Sequence, residues 1–197
     1  MSAASTVSQP AKALPVLLAG LEAGMVGALW MLAWLGLSSV WQRRSFWGPE
    51  NLMATAFHRD ADIAAGFGAG TVSGLALYLL IYSLLGALFA IAMRDRLRPF
   101  RLLLGGVAFA VAWYYISFGW IWNKVMPTVA SLHVVQATVL GHVIYGTALG
   151  RYPLYLSRLE GRQAAVEGEF ATEAAVPVVE HVASDPIDGG TQAPPVE

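Results

Sequence analysis

Four stretches of this chain are apolar for long enough to cross a bilayer, and polar connectors separate them. They cover about residues 14–40, 66–93, 102–122 and 131–150. At about 1.5 Å per residue, about 20 apolar residues span a hydrocarbon core of about 30 Å, so each stretch predicts a transmembrane helix. The expected fold class is all-α: a polytopic membrane protein of four transmembrane helices, arranged as two repeated hairpins.

The first run, Leu14–Val40, is interrupted only by Glu22 and is longer than a perpendicular span needs, which predicts tilt. Gly20 and Gly24 form a small-xxx-small step that Ala28 extends, the pattern of close helix packing. Trp30, Trp34 and Trp41 lie on another stripe, read as lipid contact and an interfacial aromatic belt, with an aromatic ligand cage as the alternative.

The connector that follows carries Pro49 and Glu50 in the order that favours a helix start, then Leu52, Met53, Ala56 and Phe57. It predicts a short interfacial helix anchored by Phe46 and Trp47. A re-entrant half-helix would instead require buried partners for Glu50 and Asn51.

The second span opens with Gly66, Gly70 and Gly74 at four-residue spacing, which predicts a contact face continued by Tyr78, Tyr82 and Gly86. The third ends in an aromatic cluster from Trp113 to Trp122, a girdle at a membrane boundary. The fourth, Ser131–Gly150, is the most polar, with His133, Gln136, Thr138, His142, Tyr145 and Thr147 beside the Gly146–Gly150 step. Lipid would leave those groups unpaired, so this helix is expected among other helices, and none of the spans is expected to be broken.

The ends differ from this middle. Residues 1–12 are small and polar and are expected to be disordered, and 13–157 form the membrane domain. After Arg151 a brief amphipathic helix is expected, and 158–197 are assigned to a disordered acidic tail. No Lys or Arg follows Arg162, whereas seven acids do.

Composition supports a membrane protein. The chain is 56% hydrophobic and 13% charged, about half the charge of a soluble domain. Cysteine is absent, which excludes disulfides and thiolate-ligated metals. Eight basic residues (Lys12, Arg94, Arg96, Arg98, Arg101, Arg151, Arg158, Arg162) flank one side of the four-span arrangement and four (Arg43, Arg44, Arg59, Lys124) the other. The positive-inside rule then puts both termini and Arg94–Arg101 on the cytoplasmic side.

Each half has a glycine-bearing span (Gly20 and Gly24; Gly105 and Gly106), an outer connector with Trp and Pro (Trp47, Pro49; Trp122, Pro127), and a small-residue helix. Tyr78 aligns with His142, and Gly86 with Gly150. Such a repeat implies a pseudo-two-fold axis along the membrane normal. Residues 15–152 resemble a functionally uncharacterised group of bacterial four-span integral membrane proteins. The likeness is carried by Ala19–Gly24, FWGPENLMAT at Phe46–Thr55, the glycine-led second span and GHVIYGTALG at Gly141–Gly150. The resemblance implies a fold and a location, a bacterial inner membrane, but no activity. Members often hold a histidine where this chain has Tyr78, a departure that weakens any role for paired intramembrane histidines.

No hydrolase, metalloprotease or phosphate-loop motif occurs, so no enzyme is expected. A bis-histidine haem needs two imidazoles at one depth, and only His142 lies mid-span. His58 and His133, with Glu50 or Asp60, lack metal-ligand spacing. No cofactor and no nucleic-acid partner is expected. The leading expectation is a structural or accessory membrane component, as a homo-oligomer or part of a larger complex in lipid, packed through Gly20, Gly24, Gly66, Gly70, Gly74, Gly146 and Gly150. The alternative is a small transporter or channel whose polar path is lined by Glu22, Gln136, His142 and Tyr145. Counting inward from Lys12 and Arg151 places Glu22 and His142 at one depth, so they are candidates for direct pairing.

Overall fold

The computed structural model describes residues 13–58, 62–94 and 98–174, with side chains through Glu169. The described elements are α1 (Ala13–Trp41), α2 (Gly48–Ala54), α3 (Ala69–Met93), α4 (Pro99–Ile116), α5 (Trp122–Val125), α6 (Pro127–Leu132), α7 (Val135–Leu149) and α8 (Tyr152–Ala174). Among the described residues there is no strand. Proline opens α2, α4 and α6, where its missing N–H costs nothing and its fixed φ suits a first turn.

Three helices are long and apolar enough to cross a membrane: Ala13–Trp41, Ala69–Met93 and Pro99–Val125. Val72, Ala76, Leu80, Leu84 and Leu88 recur every four residues along α3 and are all exposed. An exterior of this kind is matched by lipid. The protein is a membrane-embedded helical bundle.

The third of these crosses a π-helical turn at Ser117–Ile121. Such a turn disturbs the regular pairing of carbonyls, and the Asn123 amide donates to two of them, Phe118 at 2.7 Å and Gly119 at 3.2 Å.

The fourth expected span is not one helix. α6 stops at Leu132, His133 and Val134 are extended, and α7 restarts at Val135 with 15 residues, about 22 Å of helix. Two local causes act together. The His133 ring bonds back to the Ala130 carbonyl at 2.6 Å, and two adjacent β-branched residues, Val134 and Val135, disfavour continuing the turn. The expectation of unbroken spans is corrected accordingly.

α1 and α7 are the central helices. α1 packs against α3 and α7, α7 also against α4, and α3 meets α4 only sparsely. Glycine explains the close approach of two pairs of long helices. A Cβ on Gly20 would stand 2.6 Å from the Ala90 Cβ, and one on Gly86 would strike the Gly20 carbonyl. In the other half, a Cβ on Gly106 would strike the Gly146 carbonyl, and one on Gly150 would lie 2.7 Å from the Leu103 Cα. Backbone therefore lies against backbone in α1/α3 and in α4/α7. The aligned positions repeat: Gly24 faces the Tyr82 carbonyl as Gly106 faces that of Gly146.

The contact face assigned to Gly66, Gly70 and Gly74 is corrected. Gly66 precedes α3 and has nothing near its missing side chain, and a Cβ on Gly70 would make only an ordinary 3.7 Å contact with Ala54. Gly74 alone of the three is tight, pressed against the Glu50 carbonyl of α2. α2 thus occupies the space that a neighbouring span was expected to fill, and its residues Glu50 to Ala54 are all buried.

The chain divides into two compact units at Arg162/Gln163. The tail expected to be disordered from 158 is helical through Ala174. Its Gln163, Ala164, Ala165 and Glu167 favour helix even though they give no apolar face to bury. The expectations for residues 1–12 and 175–197 fall outside the described residues.

Candidate functional site

Polar side chains enter the bundle at two levels. The inner level is set by α3 and α7. His142, 1% exposed, has its Nδ1 2.7 Å from the Thr138 carbonyl, which only accepts, so the proton is assigned to Nδ1. Nε2 then accepts from the Tyr82 hydroxyl at 3.0 Å. The Tyr145 hydroxyl donates to the Tyr82 backbone carbonyl at 2.6 Å, and the Trp34 indole of α1 donates to that of Ala137 at 3.0 Å. Rings complete the layer: Tyr82 packs edge-on to Tyr145 at 4.9 Å and Tyr114 edge-on to His142 at 5.3 Å. Each bond joins two helices or closes a turn, so this cluster ties α3, α7 and α1 together.

The four residues proposed to line a path do not converge. His142 and Tyr145 share the inner cluster, joined through Tyr82. Gln136 is exposed, and Glu22 is half-buried on α1. Direct pairing of Glu22 with His142 is corrected too. Gly141, beside His142, faces Met31, Trp34 and Leu35. Met31 lies nine residues beyond Glu22 on α1, about 13 Å along the axis. Equal counts from the flanking charges mislead because α1 is longer than a span and α7 shorter. Nor do Trp30, Trp34 and Trp41 form a cage, since Trp30 and Trp41 face outward while Trp34 turns in.

The outer level joins the first connector to the start of α3. Asn51 donates to the Ala65 carbonyl at 3.0 Å and accepts from the Thr71 hydroxyl at 2.7 Å, and the Thr71 oxygen accepts from the Gly68 N–H at 3.0 Å. Asn51 has the buried partners that an inserted half-helix requires. Glu50 does not: it is 2% exposed, and one carboxylate oxygen has no hydrogen-bond partner. Burial raises its pKa from 4.5 to about 7, against a smaller lowering by a backbone hydrogen bond.

Beside this level lies a cavity of about 540 Å³, within the range of small-molecule sites of about 300–1,000 Å³. Leu35, Leu52, Phe118, Val129 and Val134 make it apolar, Tyr78 and Thr138 lie on its wall, and Ser38, Ser39, Gln42, Arg43 and Arg44 bring polar groups from the end of α1. His133 also lines it, with Nε2 3.3 Å from the Tyr114 hydroxyl and its ring 4.2 Å from that of Phe118. His58 is exposed, and among the described residues no three metal-ligating side chains gather.

Sequence reasoning missed Tyr82, Thr138 and Thr71 as partners, and Arg43 as a cavity residue. Tyr82 was readable as a polar group facing the bundle on the Gly86 side of α3. Arg43 gave no signal, because its significance lies in its backbone conformation. No family model, curated protein or solved structure matches this chain.

Proposed function

We propose that this chain is a non-catalytic accessory or structural component of a membrane, built as two hairpins that cross it four times, with α6 and α7 together making the fourth crossing. The observation that carries the reading is the closure of the inner polar cluster. His142, Tyr82 and Tyr145 direct their polar atoms at one another or at backbone carbonyls, and Glu22 and Gln136 lie apart from them. The protons of these three side chains are committed to helix-joining or turn-closing bonds, which favours a structural role over relay of an ion or solute. The matched backbone approaches of α1/α3 and α4/α7 support the two-hairpin architecture. The likeness to bacterial four-span membrane proteins and the positive-inside count support an inner-membrane location with cytoplasmic termini.

Two measurements test this. The chain has no cysteine, so a single one introduced at Ser45 or Ser157 is a unique label site. Four crossings put the two positions on opposite sides of intact cells. Labelling of both by the same impermeant reagent means three crossings, with α7 failing to span. For the role itself, protein reconstituted in liposomes is expected to add no ion conductance or solute flux over empty vesicles. A flux that changes in His142→Ala would replace the accessory reading with a transport path.

A further inference from the structure

We infer that the cavity between the end of α1, α2 and α6–α7 is a binding site for an anionic amphiphile. Its carboxylate or phosphate head sits at Arg43 and Arg44, and its hydrocarbon body lies against Leu35, Leu52, Phe118 and Val129. The inference rests on the accessory reading only in assuming no transport path through the bundle.

Charge is the first argument. Arg43 and Arg44 are in the lining, and among the described residues no Asp or Glu is. Neither arginine makes an ion pair or side-chain hydrogen bond among the described residues. The serines and Gln42 beside them add neutral hydrogen-bonding groups, and the guanidinium fork suits both kinds of oxyanion head. The remaining wall is mainly apolar, so a bare inorganic anion would leave most of the volume without a matching surface.

The backbone supplies an independent argument. α1 ends with the Arg43 N–H on the Val40 carbonyl and the Arg44 N–H on the Ser39 carbonyl, both at 2.9 Å. That is a Schellman closure, and its left-handed position, usually glycine, is held by Arg43 at φ 59°. Arg43 is the one non-glycine residue with positive φ among the described residues. A side chain here works against the helix end, where glycine would relieve strain. Fold stability therefore does not explain an arginine at this position, but a charged group needed at the cavity rim does.

Glycine at this position separates binding from folding. Full-length protein in an uncharged maltoside detergent is titrated with laurate, with lysophosphatidylglycerol, with dodecanol as the uncharged match, and with inorganic phosphate. The expected result is saturable binding of laurate or lysophosphatidylglycerol, with dodecanol and phosphate weaker by about tenfold or more. Tighter laurate binding would identify the ligand as a free fatty-acid anion, and tighter lysophosphatidylglycerol binding as a membrane phospholipid; both support the site. Arg43→Gly should keep or raise the thermal midpoint while weakening that binding about tenfold, and Arg44→Gln should weaken it similarly. Dodecanol binding as tightly as laurate, full affinity in the Arg43→Gly/Arg44→Gln double variant, or no binding of either anionic amphiphile overturns the inference. Failure here leaves the accessory reading intact, because the liposome flux measurement judges that reading separately.

Discussion

Gly86→Val is expected to leave little folded protein, with a loss of at least about 3 kcal/mol, while Leu84→Val two residues earlier on α3 changes stability only slightly. The Cβ of a valine at 86 would enter the Gly20 carbonyl and approach the Gly24 Cα, which lies 2.6 Å from that position. The obstructing atoms are α1 backbone, so no rotamer change relieves them; the whole helix has to retreat. Retreat would also pull Trp34 from the Ala137 carbonyl and open the α1–α7 seam, because α1 is shared by both neighbours. Leu84 faces outward, and its shortening removes only lipid contact. Gly106→Val should match Gly86→Val, since it meets the Gly146 carbonyl in the same way. Gly70→Leu should be mild by comparison, with only the Ala54 Cβ at 3.7 Å in front of it. Thermal unfolding in detergent ranks the variants. Equal losses for Gly86→Val and Leu84→Val would mean that α1 and α3 do not depend on backbone contact.

The same glycines show where the sequence was informative. Hydropathy marked the long helices because a bilayer imposes a minimum length on apolar runs, and Gly20, Gly24, Gly146 and Gly150 were legible because close helices need small residues at four-residue spacing. Gly66 and Gly70 carry the identical pattern without the contact. Spacing registers what a helix face permits, not which neighbour arrives, and α2, a connector element, took the place next to Gly74. The interruption at His133 and Val134 was hidden for a related reason, since a hydropathy window averages over two extended residues. His142 was correctly read as interior, but its partner was sought by depth along the chain. Depth fails when one helix overshoots the membrane and another is short, so the Tyr82 hydroxyl three ångströms away was passed over for Glu22.

Glu50 gives the last expectation, a stability that falls as pH rises and does so because of one carboxyl group. In the folded protein that group is buried with one oxygen unpartnered, and its pKa stands at about 7 against 4.5 when unfolded. Between these values the native state holds a proton that the unfolded chain has released. Stability is therefore complete below about pH 4.5, declines through the interval, and levels off above pH 7. A shift of this size corresponds to about 3–4 kcal/mol at most, at about 1.4 kcal/mol per unit. Glu50→Gln keeps the shape and removes the ionisation. Its stability should be nearly flat from pH 5 to 8, and it should be the more stable form at pH 8. The gain is reduced by about 1 kcal/mol if the amide leaves its own polar atom unpaired in the same place. Unfolding midpoints of both proteins at pH 5 and pH 8 provide the check. Parallel pH profiles would mean that the Glu50 carboxylate reaches water, and that α2 is held only by the Asn51–Thr71 bonds and the close fit of Gly74.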